Sequence, residues 1–278
     1  MRLSDRTVLI TGATDGVGKI AARRLAASGA RVLLHGRSDA KGRNTIREIQ
    51  HETGVRPDYY RADFASLDEV RRLAADVAAA HDRLHVLINN AGIGFGTSGA
   101  RRETSHDGYE LRFAVNYVAP FLLTHLLLPM LRRSTPARIV NVASLGQFPI
   151  DFNDVMLTRG YDGARAYRQS KLALIMFTFD LAALLEGTGV TANAIHPATF
   201  MNTKMVTEAG IQPRSTVEEG ADAIVHLGTA PELEGRTGAF FDGRRESRAD
   251  PGAYNARTRQ RLRELTLELT GVSADVAR

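Results

Sequence analysis

The feature that most constrains the fold is an alternation that runs the length of the chain. Short runs rich in β-branched and aliphatic residues, at 7–11, 32–35, 58–63, 85–89, 138–144, 190–196 and 239–242, read as strands. Between them lie longer stretches with helical spacing, at 18–28, 40–51, 66–80, 109–133, 167–186 and 217–230. Strand and helix in strict succession imply crossover connections, hence a parallel sheet covered on both faces. The expectation is an α/β, doubly wound sheet forming a single domain over residues 1–278. Ligands are then expected at the carboxyl ends of the strands. The segments near 145–160, 198–214 and 242–252 read as loops that would cover a substrate.

Composition narrows the chemistry. The chain has no cysteine, which excludes disulfides, thiol nucleophiles and thiolate metal sites and leaves a reducing cytoplasm as the expected setting. Its eight histidines do not cluster at ligand spacing, so no metal is expected. The polar start, residues 1–6, carries no signal peptide pattern, and no anchor is expected. The balance is basic, but the arginines are scattered rather than gathered in one tract, which argues against nucleic acid. Arg257, Arg259, Arg261 and Arg263 share a segment with Leu262, Leu265 and Leu269, the pattern of an amphipathic C-terminal helix with a solvated basic side.

Three motifs point to function. Thr11-Gly12-Ala13-Thr14-Asp15-Gly16-Val17-Gly18 follows the first strand and opens the first helix. Glycines there let the backbone approach a pyrophosphate, whose charge the helix N-terminus meets. The second strand ends Leu34-His35-Gly36-Arg37, with an arginine where an acid would bind ribose hydroxyls. A guanidinium suits a 2′-phosphate, so NADP(H) is favoured, with NAD(H) as the alternative; Asp15 weighs against it, since some NADP enzymes carry a base in that turn. Tyr167 and Lys171, four apart, share a helix face. A nearby ammonium favours the phenolate and would lower the tyrosine toward the working range of an acid–base catalyst. That spacing alone occurs often by chance and settles nothing.

Taken together, these motifs make the chain resemble the short-chain dehydrogenase/reductase family over nearly its whole length. Asp63 and Phe64 resemble the family's adenine-side position, and Asn89-Asn90-Ala91-Gly92 its Asn-Asn-Ala-Gly motif, which supports cofactor and sheet. Asn116, Ser144, Tyr167 and Lys171 match the catalytic tetrad in order. The resemblance implies a Rossmann-type fold and hydride transfer between nicotinamide and an aldehyde, ketone or alcohol. Ser144 would hold the substrate oxygen, Tyr167 would move the proton, and Lys171 would hold the ribose. Asn116 stands four residues before Pro120, which has no N–H to give, so its carbonyl is left without a helical partner and could hold a relay water. Residues 150–154, 161–167 and 265–271 resemble the retinol-dehydrogenase-like branch, whose occasional membrane anchor is not seen here.

After the sixth strand, where the family reads Pro-Gly, this chain has Pro197-Ala198. The carboxamide contact expected nearby falls on Thr203, with Thr199 and Asn202 as rivals, while His196 reads as a packing residue. Phe148, Phe152, Met156, Phe200, Met201 and Met205 suggest an apolar lining and a lipophilic small-molecule substrate. The apolar faces of 109–133 and 167–186 are those through which such relatives form homodimers or homotetramers. A cofactor-sensing protein without catalysis would not need Ser144, Tyr167 and Lys171 together. The glycine spacing and the want of a large C-terminal substrate region disfavour a nucleotide-sugar epimerase or dehydratase.

Overall fold

The computed structural model describes residues 3–97 and 99–273. Eight strands form one sheet: β1 (Thr7–Ile10), β2 (Arg31–Gly36), β3 (Asp58–Arg61), β4 (Val86–Asn89), β5 (Ala137–Val142), β6 (Val190–His196), β7 (Phe240–Asp242) and β8 (Arg245–Ser247). Their spatial order is β3-β2-β1-β4-β5-β6-β7-β8. Neighbours run parallel from β3 to β7, and only β8 is antiparallel, to β7. The direction of winding reverses between β1 and β4, which opens a crevice at their carboxyl ends.

Helices α1 (Gly16–Ala27), α2 (Asp39–Thr53), α3 (Leu67–Ala80), α4 (Leu111–Arg133), α5 (Gly163–Leu184), α6 (Lys204–Thr207), α7 (Val217–Thr229) and α8 (Ala256–Thr270) cover the sheet. Successive strand residues point to opposite faces. Val8, Ile10, Val32 and Leu34 therefore pack with Ala22 and Leu25 of α1 and Ile224 and Leu227 of α7. Leu9, Leu33, Leu87 and Ile139 pack on the other side with Phe113 and Phe121 of α4 and Leu172 and Ile175 of α5. Two covered faces explain why the central strands read as unbroken aliphatic runs rather than alternating ones. Helix α4 is long and apolar enough to cross a membrane, yet 89% of its most apolar window is buried inside this fold.

Side chains fix the helix starts. Ser38, Ser66 and Asn255 accept from the N–H groups of Lys41, Glu69 and Thr258, and Thr216 and Glu219 cap each other reciprocally. Helix α5 starts four residues before the expected 167, because the Asp162 carboxylate accepts from the Arg165 N–H at 2.6 Å and supplies a cap. β3 ends at Arg61 rather than 63, since the Asp63 N–H turns to the Glu69 carboxylate at 2.7 Å. The segment expected as a loop at 242–252 contains β8, joined to β7 by the two-residue turn Gly243-Arg244 with Gly243 at φ +58°. Such a turn matches the twist of paired strands when glycine comes first. The loop expected at 198–214 likewise holds α6. Helix α8 forms as an amphipathic helix over its buried Leu262. One of its basic residues is not solvated as expected: Arg259 pairs with Asp180 of α5 at 2.7 Å.

Candidate active site

The site is built at the carboxyl ends of β1, β4, β5 and β6. The turn after β1 is pressed against the segment after β4. Asn90 donates to the carbonyls of Thr11 at 2.8 Å and Gly12 at 3.2 Å. The buried Thr11 hydroxyl accepts from the N–H groups of Asn90 and Ala91, both at 2.9 Å. Two glycines are obligatory here. Gly12 has φ +65°, and a Cβ on it would lie 2.8 Å from the Ala91 Cα; a Cβ on Gly18 would lie 2.4 Å from both Asn90 Nδ2 and the Gly12 carbonyl. Thr14 packs against Gly36 at the end of β2, and Val17 lies against Gly220 of α7.

His35, which sequence reasoning passed over, locks this turn from below. Its Nδ1 accepts from the Gly12 N–H at 3.2 Å, and its Nε2 lies 3.0 Å from the Ala62 carbonyl. Burial drives its pKa down to about 4, so the ring is neutral and donates through Nε2. Its ring stacks on Phe64 at 4.3 Å. Phe64 is thus a core residue, 3% exposed, with its ring packed on His35. Asp63 caps its own turn, accepting from the Ala65 N–H at 3.0 Å.

The charges around the turn are arranged differently from the sequence reading. Asp15 accepts from the Gly16 N–H at 2.9 Å and pairs with Lys41 at 2.7 Å and Lys204 at 3.7 Å. The hydrogen bond from Lys41 leads the effects that hold its carboxyl below the usual range. Two lysines therefore offset the acid in the turn where a phosphate was expected. Neither was legible as its partner, because 26 residues separate Lys41 from Asp15 and only the crossover brings them together. Arg37, exposed just beyond β2, has no ion-pair or hydrogen-bond partner among the described residues.

The catalytic candidates meet where β5 ends and α5 begins its second turn. Ser144 lies beside Tyr167, both flanking Gly146, and its hydroxyl accepts the Gly146 N–H at 3.0 Å. Lys171 is buried and donates to the Val142 carbonyl at 2.8 Å, with its Nζ 5.8 Å from the Tyr167 ring centre. The expected lowering of Tyr167 by Lys171 is not what this geometry gives. Burial pushes the phenol up, and Ser144 draws back part of that rise. Lys171 itself is taken by burial down to about 8. Phe95 stands edge-on to Tyr167 at 5.5 Å. Its segment is held by another group missed in the sequence, Arg112, which donates to the Gly94 carbonyl at 2.8 Å and to Tyr161 at 2.7 Å.

Asn116 lies in a widened turn of α4, Ala114–Val118, where the Ala119 N–H reaches back five residues to the Ala114 carbonyl. Pro120, which cannot donate, follows directly. The Asn116 amide accepts from the Ile93 N–H at 2.8 Å and donates to the Ile93 carbonyl at 3.1 Å and the Ser170 hydroxyl at 3.0 Å. It thereby ties the Asn-Asn-Ala-Gly segment to the catalytic helix. Gly92 sits beside it, so that a Cβ would meet Asn116 Oδ1 at 3.1 Å and Lys171 Nζ at 3.5 Å. After β6, Pro197 is buried, and the Thr199 hydroxyl is 3.0 Å from His196 Nε2. Thr203 lies against Gly16 in the glycine turn. Among the suggested apolar lining, Phe152 lies beneath Arg261 of α8, Met205 packs on Gly94 and Met201 on Gly220.

Comparison with known proteins places this geometry. A family model for short chain dehydrogenase matches residues 6–213. Retinol dehydrogenase 12 of Bos taurus is 37% identical over 98% of this chain and 88% of its own length. Polyprenol dehydrogenase of Homo sapiens is 34% identical over 96% of this chain and 86% of its own. Among solved structures, a short chain dehydrogenase from Escherichia coli complexed with NADPH superposes with a TM-score of 0.72 at 28% identity, covering 88% of this chain and 98% of that one. An uncharacterized protein from Mycobacterium paratuberculosis gives 0.80 at 29% identity, covering 96% and 94%.

Proposed function

The chain belongs to the short-chain dehydrogenase family, in its retinol-dehydrogenase-like branch, and from that premise we propose that it moves a hydride between NADP(H) and a lipophilic aldehyde or ketone and its alcohol. The observation that carries the reading is the juxtaposition of Ser144 and Tyr167 about Gly146, with buried Lys171 one turn behind.

The residues fit a dinucleotide. The glycine turn leaves no room for a Cβ at Gly12 or Gly18, and the first turn of α1 presents backbone N–H groups to an anion. Gly12, Thr14, Gly16, Val17 and Gly18 would hold the diphosphate, with Asn90, Ala91 and Gly92 behind it and Pro197, Thr199 or Thr203 near the nicotinamide. Arg37, without a partner among the described residues, would take the 2′-phosphate. When bound, the nicotinamide gives or takes the hydride. Ser144 already accepts from Gly146, which leaves its proton for the substrate oxygen. Tyr167 hands its proton to that oxygen in reduction and removes it in oxidation. Lys171, poised near pKa 8, supplies positive charge close to the phenol. Exposed Leu145 and Phe148 at 45% and 42% give the entrance apolar surface, in keeping with a lipophilic substrate. Self-association through α4 and α5, which the family resemblance implies, belongs to the same reading.

The test is a parallel titration with NADPH and NADH, followed by nicotinamide fluorescence, for the wild type and Arg37→Ala. Tight NADPH binding that weakens selectively in the variant, roughly tenfold or more as expected for a lost charged hydrogen-bond partner, supports the reading. Equal or tighter NADH binding overturns the role of Arg37. Lipophilic aldehydes are then assayed with Tyr167→Phe as the inactive control.

A further inference from the structure

Away from Tyr167, a groove of about 720 Å³ runs between residues 149–152, α5 and the first half of α8. Its floor is apolar, formed by Pro149, Ile150, Phe152, Leu172 and Met176. One wall is the outward face of α8, where Arg257 and Arg261 stand four residues apart and so on the same side of the helix. Neither guanidinium has an ion-pair or hydrogen-bond partner among the described residues, whereas Arg259 between them is engaged by Asp180. Arg261 is held over the Phe152 ring at 4.6 Å, at the edge of the apolar floor. Glu264 also reaches the groove, but its carboxylate is occupied by Gln260 at 2.9 Å. The lining therefore offers two unpaired cations against one engaged acid, above an apolar floor whose accessible part is Pro149, Ile150 and Phe152, with Leu172 and Met176 buried beneath them.

We propose that this groove binds a free long-chain carboxylate, the alkyl chain along Pro149, Ile150 and Phe152 and the head group on Arg257 and Arg261. The volume lies in the range of small-molecule sites. A guanidinium fork matches a carboxylate in geometry and charge. A neutral lipid would leave both arginines unused, and a small anion would leave the floor in water. The site also has a route to the reaction centre. Asp151, between the floor residues Ile150 and Phe152, donates its N–H to Gln169 at 3.1 Å. Gln169 sits between Tyr167 and Lys171 on α5. Filling the groove thus fixes the segment that leads from Ser144 to the catalytic helix. The occupant is distinct from the substrate under the Proposed function reading, and the site stands whether or not that reading does.

The experiment is an isothermal titration with dodecanoate, kept below its micellar concentration, at low salt and pH 8. The wild type should bind one equivalent, with affinity falling as salt is raised. Arg257→Gln/Arg261→Gln should weaken binding at least tenfold with an unchanged thermal melt, since both side chains are exposed. The neutral dodecyl maltoside, at the same sub-micellar concentrations, should bind at least tenfold more weakly than dodecanoate. Equal dodecanoate affinity in the double variant, or equal affinity for the neutral surfactant, would overturn the proposal. No measurement here depends on nicotinamide, so a failure of cofactor binding would be seen separately.

Discussion

His35 shows how one buried side chain can tie a functional turn to stability. Its neutral ring accepts from the glycine turn on one side and reaches the Ala62 carbonyl on the other, and burial lowers its pKa from 6.5 to about 4. Between those values the unfolded chain binds a proton that the folded chain refuses. The stability from the neutral ring is therefore complete above pH 6.5 and is lost as pH falls toward 4. At about 1.36 kcal/mol per unit the loss is roughly 3 kcal/mol. The expected outcome is that wild-type melting temperature falls steeply from pH 6.5 to 4. His35→Gln should be less stable at pH 7 but flatter through that window; parallel slopes in calorimetry would show that another group titrates. Asn116, Tyr167 and Lys171 were legible as residues, but their partners were not. Which carbonyl Lys171 meets, and that burial rather than Lys171 sets Tyr167, depend on how closely α5 packs on β5.

Among the elements, the glycine turn was the most legible, because its demands are local. A turn directly after a strand and before a helix leaves few residues able to adopt the backbone required. What spacing could not show is that Asn90, over 70 residues away, closes the turn with its side-chain amide. The Asp162 cap of α5 and the Gly243-Arg244 turn into β8 were both present as local signals and were overlooked. The widened turn of α4 is a different case: Pro120 announced a disturbance, but only the bonds of Asn116 to Ile93 and Ser170 show what the disturbance accommodates. The glycine turn yields a direct prediction. In Gly18→Ala the added methyl meets Asn90 Nδ2 and the Gly12 carbonyl at 2.4 Å, so the amide or the turn must move. NADPH affinity is expected to fall more than tenfold while the far-ultraviolet dichroism stays that of the wild type. Unchanged affinity in a fluorescence titration would mean that the turn has slack the geometry does not show.

At the scale of the whole molecule, the sheet order and its two apolar layers follow from the alternation of strand and helix, because crossovers leave so few ways to cover both faces. The placement of α8 does not follow from it. An amphipathic helix at the end of a chain can pack on any exposed apolar stripe, and the stripe chosen here lies on α4 and α5. Tyr117 bonds Thr266 at 2.6 Å, Arg259 pairs with Asp180, and Leu262 is 1% exposed among them. The covered surface includes Phe121, Phe177 and Leu181, all within the same cluster. A carboxylate at Leu262 would sit in that apolar contact without a partner, at a cost of several kcal/mol unless the helix lifts away. Lifting is the cheaper response, since Leu262 is the apolar side chain that α8 buries most deeply in this contact. Leu262→Asp should therefore expose the aromatic stripe, lower the melting temperature and raise the weight-average mass in sedimentation, because an apolar face of that kind drives association. Should the variant melt and sediment like the wild type, α8 would not be what closes this face, and α4 and α5 would have to be covered by their own packing.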